Sequence, residues 1–204
     1  MIRPDWHIVE EWIAPRSRVL DLGCGDGSLM THLIDRRQVS AVGLELDDDQ
    51  VAACIEAGLN VIQEDLDSGI GDWFAPMSFD FVIVSQTIQA MRHPERLLAD
   101  MLRIAREGIV TFPNMGYWRN RVQLGLLGHM PFNRALPNPW YNTPNIHLCT
   151  LTDFEALCDE LGLEILDRAV VDSARRESAL LRTFPNWFGE HAIYRIKRRV
   201  TGLK

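Results

Sequence analysis

The chain has 204 residues, 47% apolar and 24% charged, with 21 Lys and Arg against 28 Asp and Glu and a formal net charge of −7. That is enough for one well-buried domain and short for two, and the acidic balance argues against nonspecific nucleic-acid binding, which needs a basic surface to release counterions. The four cysteines, Cys24, Cys54, Cys149 and Cys158, make no CxxC and no zinc-spaced cluster with histidine, as suits isolated thiols in a reducing cytosol. The opening MIRPDWHIVEEW carries acids where a signal peptide has its apolar core, and no apolar run approaches the roughly 20 residues of a membrane span. A cytoplasmic location is expected.

In chain order, SRVLDLG is a short apolar run ending in glycine and predicts a buried strand, followed by a helix with Leu29, Met30, Leu33 and Ile34 on its apolar face. AVGLEL predicts a second strand. DDDQ places acids at a helix start, where they complement the dipole, and Gly58 ends that helix. LNVIQ and FDFVIVS predict the third and fourth strands. Pro94 suits the first turn of a helix buried through Leu97, Leu98, Met101 and Ala105, and GIVTF predicts the fifth strand. Residues 113–150 break the alternation with five prolines, two tryptophans and two tyrosines; Tyr117 to Leu127 predicts a helix striped by Trp118, Val122 and Leu126, and the remainder a long ordered loop or lid. TLTDFEALCDELG resumes with a capping box at Thr152 and Glu155, a stripe of Phe154, Leu157, Cys158 and Leu161, and a stop at Gly162. LEILDRAVV and HAIYRIKR predict a closing antiparallel pair at one sheet edge, joined by SARRESALLRTFPNWFG.

Strands alternating with crossover helices imply α/β architecture: a Rossmann-like, doubly wound, seven-stranded, mostly parallel sheet with an antiparallel edge strand. Ligands of such sheets sit beyond the carboxyl ends of the strands, at the topological switch point. The first strand there runs into DLGCGDGSL, with Gly23, Gly25 and Gly27 at alternate positions. A dinucleotide fingerprint is GxGxxG, with a pyrophosphate at the helix N-terminus. Here the third glycine comes one residue early and Asp26 stands inside the turn, where a carboxylate repels pyrophosphate but can meet an ammonium. Asp21 adds a second acid. Glu45, 20 residues after Gly25, ends the second strand, where an acid can accept hydrogen bonds from both ribose hydroxyls. Turn and acid together describe a nucleoside site without phosphate at the glycine loop, which disfavours a nicotinamide-dependent dehydrogenase. The bland alternatives are a tight turn without ligand and a solvated strand-end charge beside Asp47, Asp48 and Asp49.

VLDLGCGDGSL, the acid in VGLEL and QEDL after the third strand resemble the class I S-adenosylmethionine-dependent methyltransferases over roughly residues 17–171. The resemblance implies a turn passing under the methionine moiety, an acid on the ribose and a strand-three acid at the adenine amine. The residues so implied are Asp21, Gly23, Cys24, Gly25, Asp26, Glu45 and Asp65, with Leu46 and Leu66 flanking the adenine and Ser85 and Gln86 facing the methionine end. The longer strings SQTIQAMRHPERLLADMLRIAREGIVTFPNMGYW and LGHMPFNRALPNPWYNTPNIHLCTLTDFEALC are similar to the MetW family of methionine biosynthesis proteins. That resemblance implies one methyltransferase-like domain over 1–204 with an insertion at about 113–150. It also implies S-adenosylmethionine or S-adenosylhomocysteine as ligand, and a homoserine O-acyltransferase of the MetX type as the partner that the chain activates or regulates.

The alternative is a methyltransferase acting on a small molecule. Such transfer draws mostly on proximity and desolvation. Many small-molecule methyltransferases have a histidine near position 89; Gln89 cannot serve as a general base. His129, His147 and Tyr141 are the candidate bases elsewhere, although such residues are more often structural. His93, just before a helix-start proline, is expected to cap the helix or face solvent, and His32 to lie on a helix surface. Trp118, Phe132, Trp140, Tyr141, Trp187 and Phe188 can line an acceptor pocket, anchor a protein or form satellite core. Arg175 and Arg176 are a solvated pair or rim charges for an acidic partner.

Overall fold

The computed structural model describes residue 3 and residues 5–71, 73–172, 181 and 183–199. Seven strands form one sheet: β1 (Arg18–Leu22), β2 (Ser40–Glu45), β3 (Val61–Gln63), β4 (Phe79–Ser85), β5 (Ala105–Pro113), β6 (Leu163–Val171) and β7 (His191–Arg198), in the order β3-β2-β1-β4-β5-β7-β6. Strands β1 to β5 pair in parallel, and β7 runs antiparallel to both β5 and β6. The antiparallel pair therefore closes the sheet as expected, with β6 outermost and β7 one place in. The chain order reverses between β1 and β4, which makes the carboxyl ends of these two strands the switch point.

Helices α1 (Trp6–Trp12), α2 (Ser28–Arg37) and α3 (Asp48–Glu56) cover one face; α4 (Pro94–Ile104) and α6 (Leu151–Glu160) cover the other. Each helix is written into its ends. Asp47 caps α3 by accepting from the amides of Asp49 and Gln50, Gly58 takes the left-handed conformation just beyond it, and Pro94 opens α4. Leu97, Leu98, Met101 and Ala105 are all buried, but Ala105 already belongs to β5, because α4 passes into that strand without a loop. The capping box of α6 lies two residues earlier than predicted. Thr150 and Asp153 form it, since Glu155 is drawn to the sheet by the Tyr194 hydroxyl and Arg168, and Thr152 Oγ1 accepts from the Asn186 amide. His32 also departs from its expected place: it packs on Trp6 and meets Glu10 at 2.8 Å, so it joins α2 to α1. His93 occupies the cap position of α4, largely in solvent.

The segment after β5 folds outward. Helix α5 (Trp118–Gly125) buries Asn120, while Trp118, Val122 and Leu126 face solvent, Leu126 with 81% of its surface exposed. Polar groups hold this helix instead. The Asn120 amide donates to the Asn114 carbonyl, its carbonyl oxygen accepts from Asn133, and Gln123 exchanges two hydrogen bonds with the Phe132 backbone. Residues 126–150 contain no regular element, but the amides of Ile146 and His147 both donate to the Gln89 carbonyl and that of Met115 to the Cys149 carbonyl. The last helix, α7 (Pro185–Phe188), precedes β7; Arg175 and Arg176 lie outside the described residues. Among the described residues no helix is long and apolar enough to cross a membrane.

Asn114 is the fastener of this region. Its fully buried amide donates to the carbonyls of Asn186 and Gly189 and accepts from the Gly116 amide. Asn114→Ala strands those backbone groups and is expected to lower the unfolding free energy by about 3 kcal/mol in urea titration.

Candidate functional site

The turn after β1 is shaped by its packing. Gly23 has φ +72°, and a Cβ there would lie 2.6 Å from the Thr87 side chain; Gly27 has φ +74°, and its Cβ would meet Leu59. These positions admit little but glycine. The turn is pinned to β2 from below: the amides of Gly23 and Cys24 both donate to the Leu44 carbonyl. Glu45 pins it from the side, as Oε2 accepts from the Gly25 amide at 2.8 Å and Oε1 accepts from the amides of Leu46 and Asp47. A carboxylate has about four lone-pair sites, so Glu45 keeps one on Oε2.

Over the turn lies a cavity of about 440 Å³ lined by Asp21, Gly23, Cys24, Gly25, Asp26 and Ser85 of the predicted set, and also by Arg3, Trp6, Ser28, Leu29 and Gln50. The lining does not include the other predicted residues. Glu45 stands behind the turn, Leu46 is exposed beside it, Asp65 caps the following turn by accepting from Asp67, Leu66 packs on the core, and Gln86 faces β5. His129, His147 and Tyr141 are exposed and none of them lines the cavity. The aromatics Phe132, Trp140 and Tyr141 likewise point to solvent, and Trp187 stacks under the Arg121 guanidinium.

Three side chains define the electrostatics. Asp21 is 2% exposed, and its Oδ1 has no hydrogen-bond partner among the described residues. Burial pushes its pKa up to about 7, against the pull of Arg3, with Glu45 adding a smaller push in the same direction. Asp26, by contrast, is exposed and accepts from the Ser28 amide at 3.0 Å, so hydrogen bonding at the start of α2 holds its pKa below the usual carboxylate range. Its carboxylate is thus partly committed to the helix. Burial raises the pKa of the Cys24 thiol well above its ordinary value, and Cys54, 3.9 Å from it, donates to the Gly25 carbonyl. Both thiols are therefore packing groups at neutral pH.

At the exit of β4, Gln86 adopts φ +60°, which costs a non-glycine residue roughly 1 kcal/mol. Its amide donates to the Thr111 carbonyl, and its side chain reaches Thr111 Oγ1 and His191 Nδ1. Burial holds the His191 pKa below its ordinary value, in favour of the neutral imidazole. Gln89 is buried, and among the described residues its Oε1 has no partner. Sequence reasoning missed Arg3 and His191. His191 reads as one more residue of a strand, and Arg3 precedes β1 by fifteen positions with no motif to mark it. Among the described residues no group of three or more His, Cys, Asp or Glu is placed to hold a metal.

The Asp21 shift has a stability consequence. A carboxyl whose folded pKa lies above its unfolded value of 3.8 contributes stability that is full below that value and is lost as pH rises toward about 7. Asp21→Asn removes the buried charge, so the variant is expected to melt at a higher temperature than the parent at pH 8 and to show a flatter dependence between about pH 4 and 7, read by thermal unfolding across pH.

The family description "Methionine biosynthesis protein MetW" matches residues 3–196. A bifunctional methionine biosynthesis protein MetXA/MetW from Rhodopirellula baltica is 33% identical over 184 residues, which cover 84% of this chain and 29% of that protein. The chain thus spans less than a third of this relative's length. Among solved structures, the PH0226 protein from Pyrococcus horikoshii superposes with a TM-score of 0.70 at 15% identity, over 96% of this chain and 88% of the other. An S-adenosylmethionine-dependent methyltransferase from Mesorhizobium loti gives 0.69 at 17% identity, over 96% and 98%. These likenesses carry the fold: an α/β, Rossmann-like mixed sheet shared with methyltransferases. With the family match covering nearly the whole chain, the protein belongs to the MetW family of methionine biosynthesis proteins.

Proposed function

We propose that this chain binds S-adenosylmethionine or S-adenosylhomocysteine in the cavity over the glycine turn and, in that state, activates or regulates a homoserine O-acyltransferase of the MetX type. The observation that carries the ligand is Asp21: a buried carboxylate with an unpartnered oxygen, lining a cavity at the switch point of a methyltransferase fold. A buried polar atom without a partner is costly and suits a ligand donor such as an ammonium. The remaining lone pair of Glu45 Oε2 suits a ribose hydroxyl, and Asp65, Leu46 and Leu66 lie on the β2 and β3 side, where the adenine would rest. S-adenosylmethionine brings a methyl group on a sulfonium; its demethylated product has the same nucleoside and amino-acid ends.

The partner reading rests on the relative that joins MetXA and MetW in one chain. It also has a surface available. Trp118 and Val122 of α5 and Leu126 just after it, with Phe132, Trp140 and Tyr141 beyond, expose apolar area of the kind that marks interaction surfaces. We assign this face to the acyltransferase, since aromatic side chains dominate such contacts. A nucleoside form of methionine at the cavity would report the supply of the pathway's end product. Coupling requires only that the ligand bind the free and complexed chain with different affinity.

Purified chain mixed with a MetX-type acyltransferase is expected to form a complex and change the acyl-transfer rate, and the paired substitutions Leu126→Asn and Trp140→Ser to weaken that complex at least tenfold while leaving nucleoside affinity unchanged, by calorimetry. An acyltransferase indifferent to the chain refutes the partner reading. Glu45→Ala is expected to abolish S-adenosylhomocysteine binding; retained affinity removes Glu45 from the site. Turnover of a labelled methyl donor with any small acceptor would favour the methyltransferase reading instead.

A further inference from the structure

The N-terminal segment brings a cation to the cavity wall. Arg3 lines the cavity together with Asp21 and Ser85, although it stands fifteen positions and a whole helix before β1. Its guanidinium is held from behind. Nε donates to Asp5 Oδ1 at 3.2 Å, Nη2 donates to Asp5 Oδ2 at 2.5 Å, and Nη2 also reaches Ser85 Oγ at 3.3 Å. Asp5 is itself anchored. It is 2% exposed and accepts from Thr111 Oγ1 on β5. The ion pair is therefore not a loose surface contact but a side chain clamped to the sheet through a buried carboxylate.

That arrangement leaves the other edge of the guanidinium free. Arg has five N–H donors, and the contacts above use Nε and Nη2, so among the described residues the two donors of Nη1 have no hydrogen-bond partner. Arg3 is 38% exposed as a side chain and no ion pair joins it to Asp21, although the two charges feel each other. The cavity lining thus combines a fixed planar cation with spare donors and a buried carboxylate with a spare acceptor. A ligand that meets both must carry an anion and a cation a short distance apart. An α-amino acid group does so.

We propose that Arg3 and Asp21 form a clamp for the α-amino-acid end of the nucleoside, Arg3 taking the carboxylate and Asp21 the ammonium. The assignment rests on the nucleoside reading above and adds the determinant that makes the site select the amino-acid-bearing nucleoside over one that lacks it. The Asp5 ion pair fixes the guanidinium plane before ligand arrives, so little side-chain entropy is lost on binding. Ser85 helps to hold that plane, which gives the strand-four residue a role in orienting the arginine.

Two probes separate the clamp from the rest of the site: S-adenosylhomocysteine, which has the amino-acid end, and 5′-methylthioadenosine, which keeps adenine, ribose and sulfur without it. Calorimetry on the full chain is expected to show the first bound more tightly than the second. Arg3→Gln is expected to weaken S-adenosylhomocysteine roughly ten- to hundredfold, the scale of a charge-assisted hydrogen-bonded pair, and to leave 5′-methylthioadenosine unchanged, with Arg3→Lys recovering part of the loss. Arg3 lies outside the regular elements, and thermal unfolding of the variant checks that the fold persists. Equal weakening of both probes would mean that Arg3 only shapes the cavity, and an unchanged affinity for S-adenosylhomocysteine would mean that it does not touch the ligand; either result overturns the clamp while leaving the nucleoside site standing. Failure of both probes to bind the parent chain overturns the nucleoside reading itself, and the clamp with it.

Discussion

Everything at the switch point hangs on how the chain turns after β1. The turn reverses into α2 within a few residues, and its backbone amides would be left without partners if β2 did not supply acceptors. The Leu44 carbonyl takes two of those amides and the Glu45 carboxylate a third, together with two more from its own strand exit. One residue pair at the end of β2 thereby fixes the turn after β1, the entry to α3 and the floor of the cavity. Backbone groups buried without partners cost enough that such a turn without its acceptors would not persist. The glycines give the turn its path; Leu44 and Glu45 hold it there.

A second polar layer forms where β4 and β5 end. Asp5, Thr111, Gln86 and His191 come from four separate parts of the chain and meet through hydrogen bonds above the sheet. This layer joins the N-terminal segment to β5 and β7. It explains why β7, arriving late in the sequence, inserts beside β5: its first residue, His191, pairs with Pro113 and places the imidazole against Gln86. Burial keeps that imidazole neutral, consistent with its accepting from the glutamine amide. The cavity is thus lined by the glycine turn and by Arg3 and Ser85, which hydrogen bonds to Asp5 and Thr111 tie to this layer.

The strands, their order of appearance and most helix ends were legible from periodicity and caps, because those signals are local. Pro94, Gly58 and Asp47 act within their own turns. The box at the start of α6 was placed two residues late because two overlapping T-x-x-acid patterns stand there, and only the sheet decides between them by recruiting Glu155. The stripe on α5 was read correctly as a stripe, but its direction was not legible: the helix is held by Asn114, Asn120 and Gln123, and amide networks leave no periodic trace. In the site, the glycine turn and Glu45 announced themselves through spacing. Arg3 did not, because its position depends on a buried aspartate and on a threonine 106 residues beyond that aspartate.

Gln89 lies at the middle of one more arrangement. Its carbonyl accepts from both Ile146 and His147, while its side-chain amide donates back to the Gln86 carbonyl. The outward segment that displays Trp140 and Tyr141 is therefore moored to the short turn that leaves β4, four residues from Ser85 on the cavity wall. Mechanically this is a short lever. Two backbone hydrogen bonds and one tight turn are all that separate the outer segment from the residue that steadies Arg3, so the two regions share one short strut.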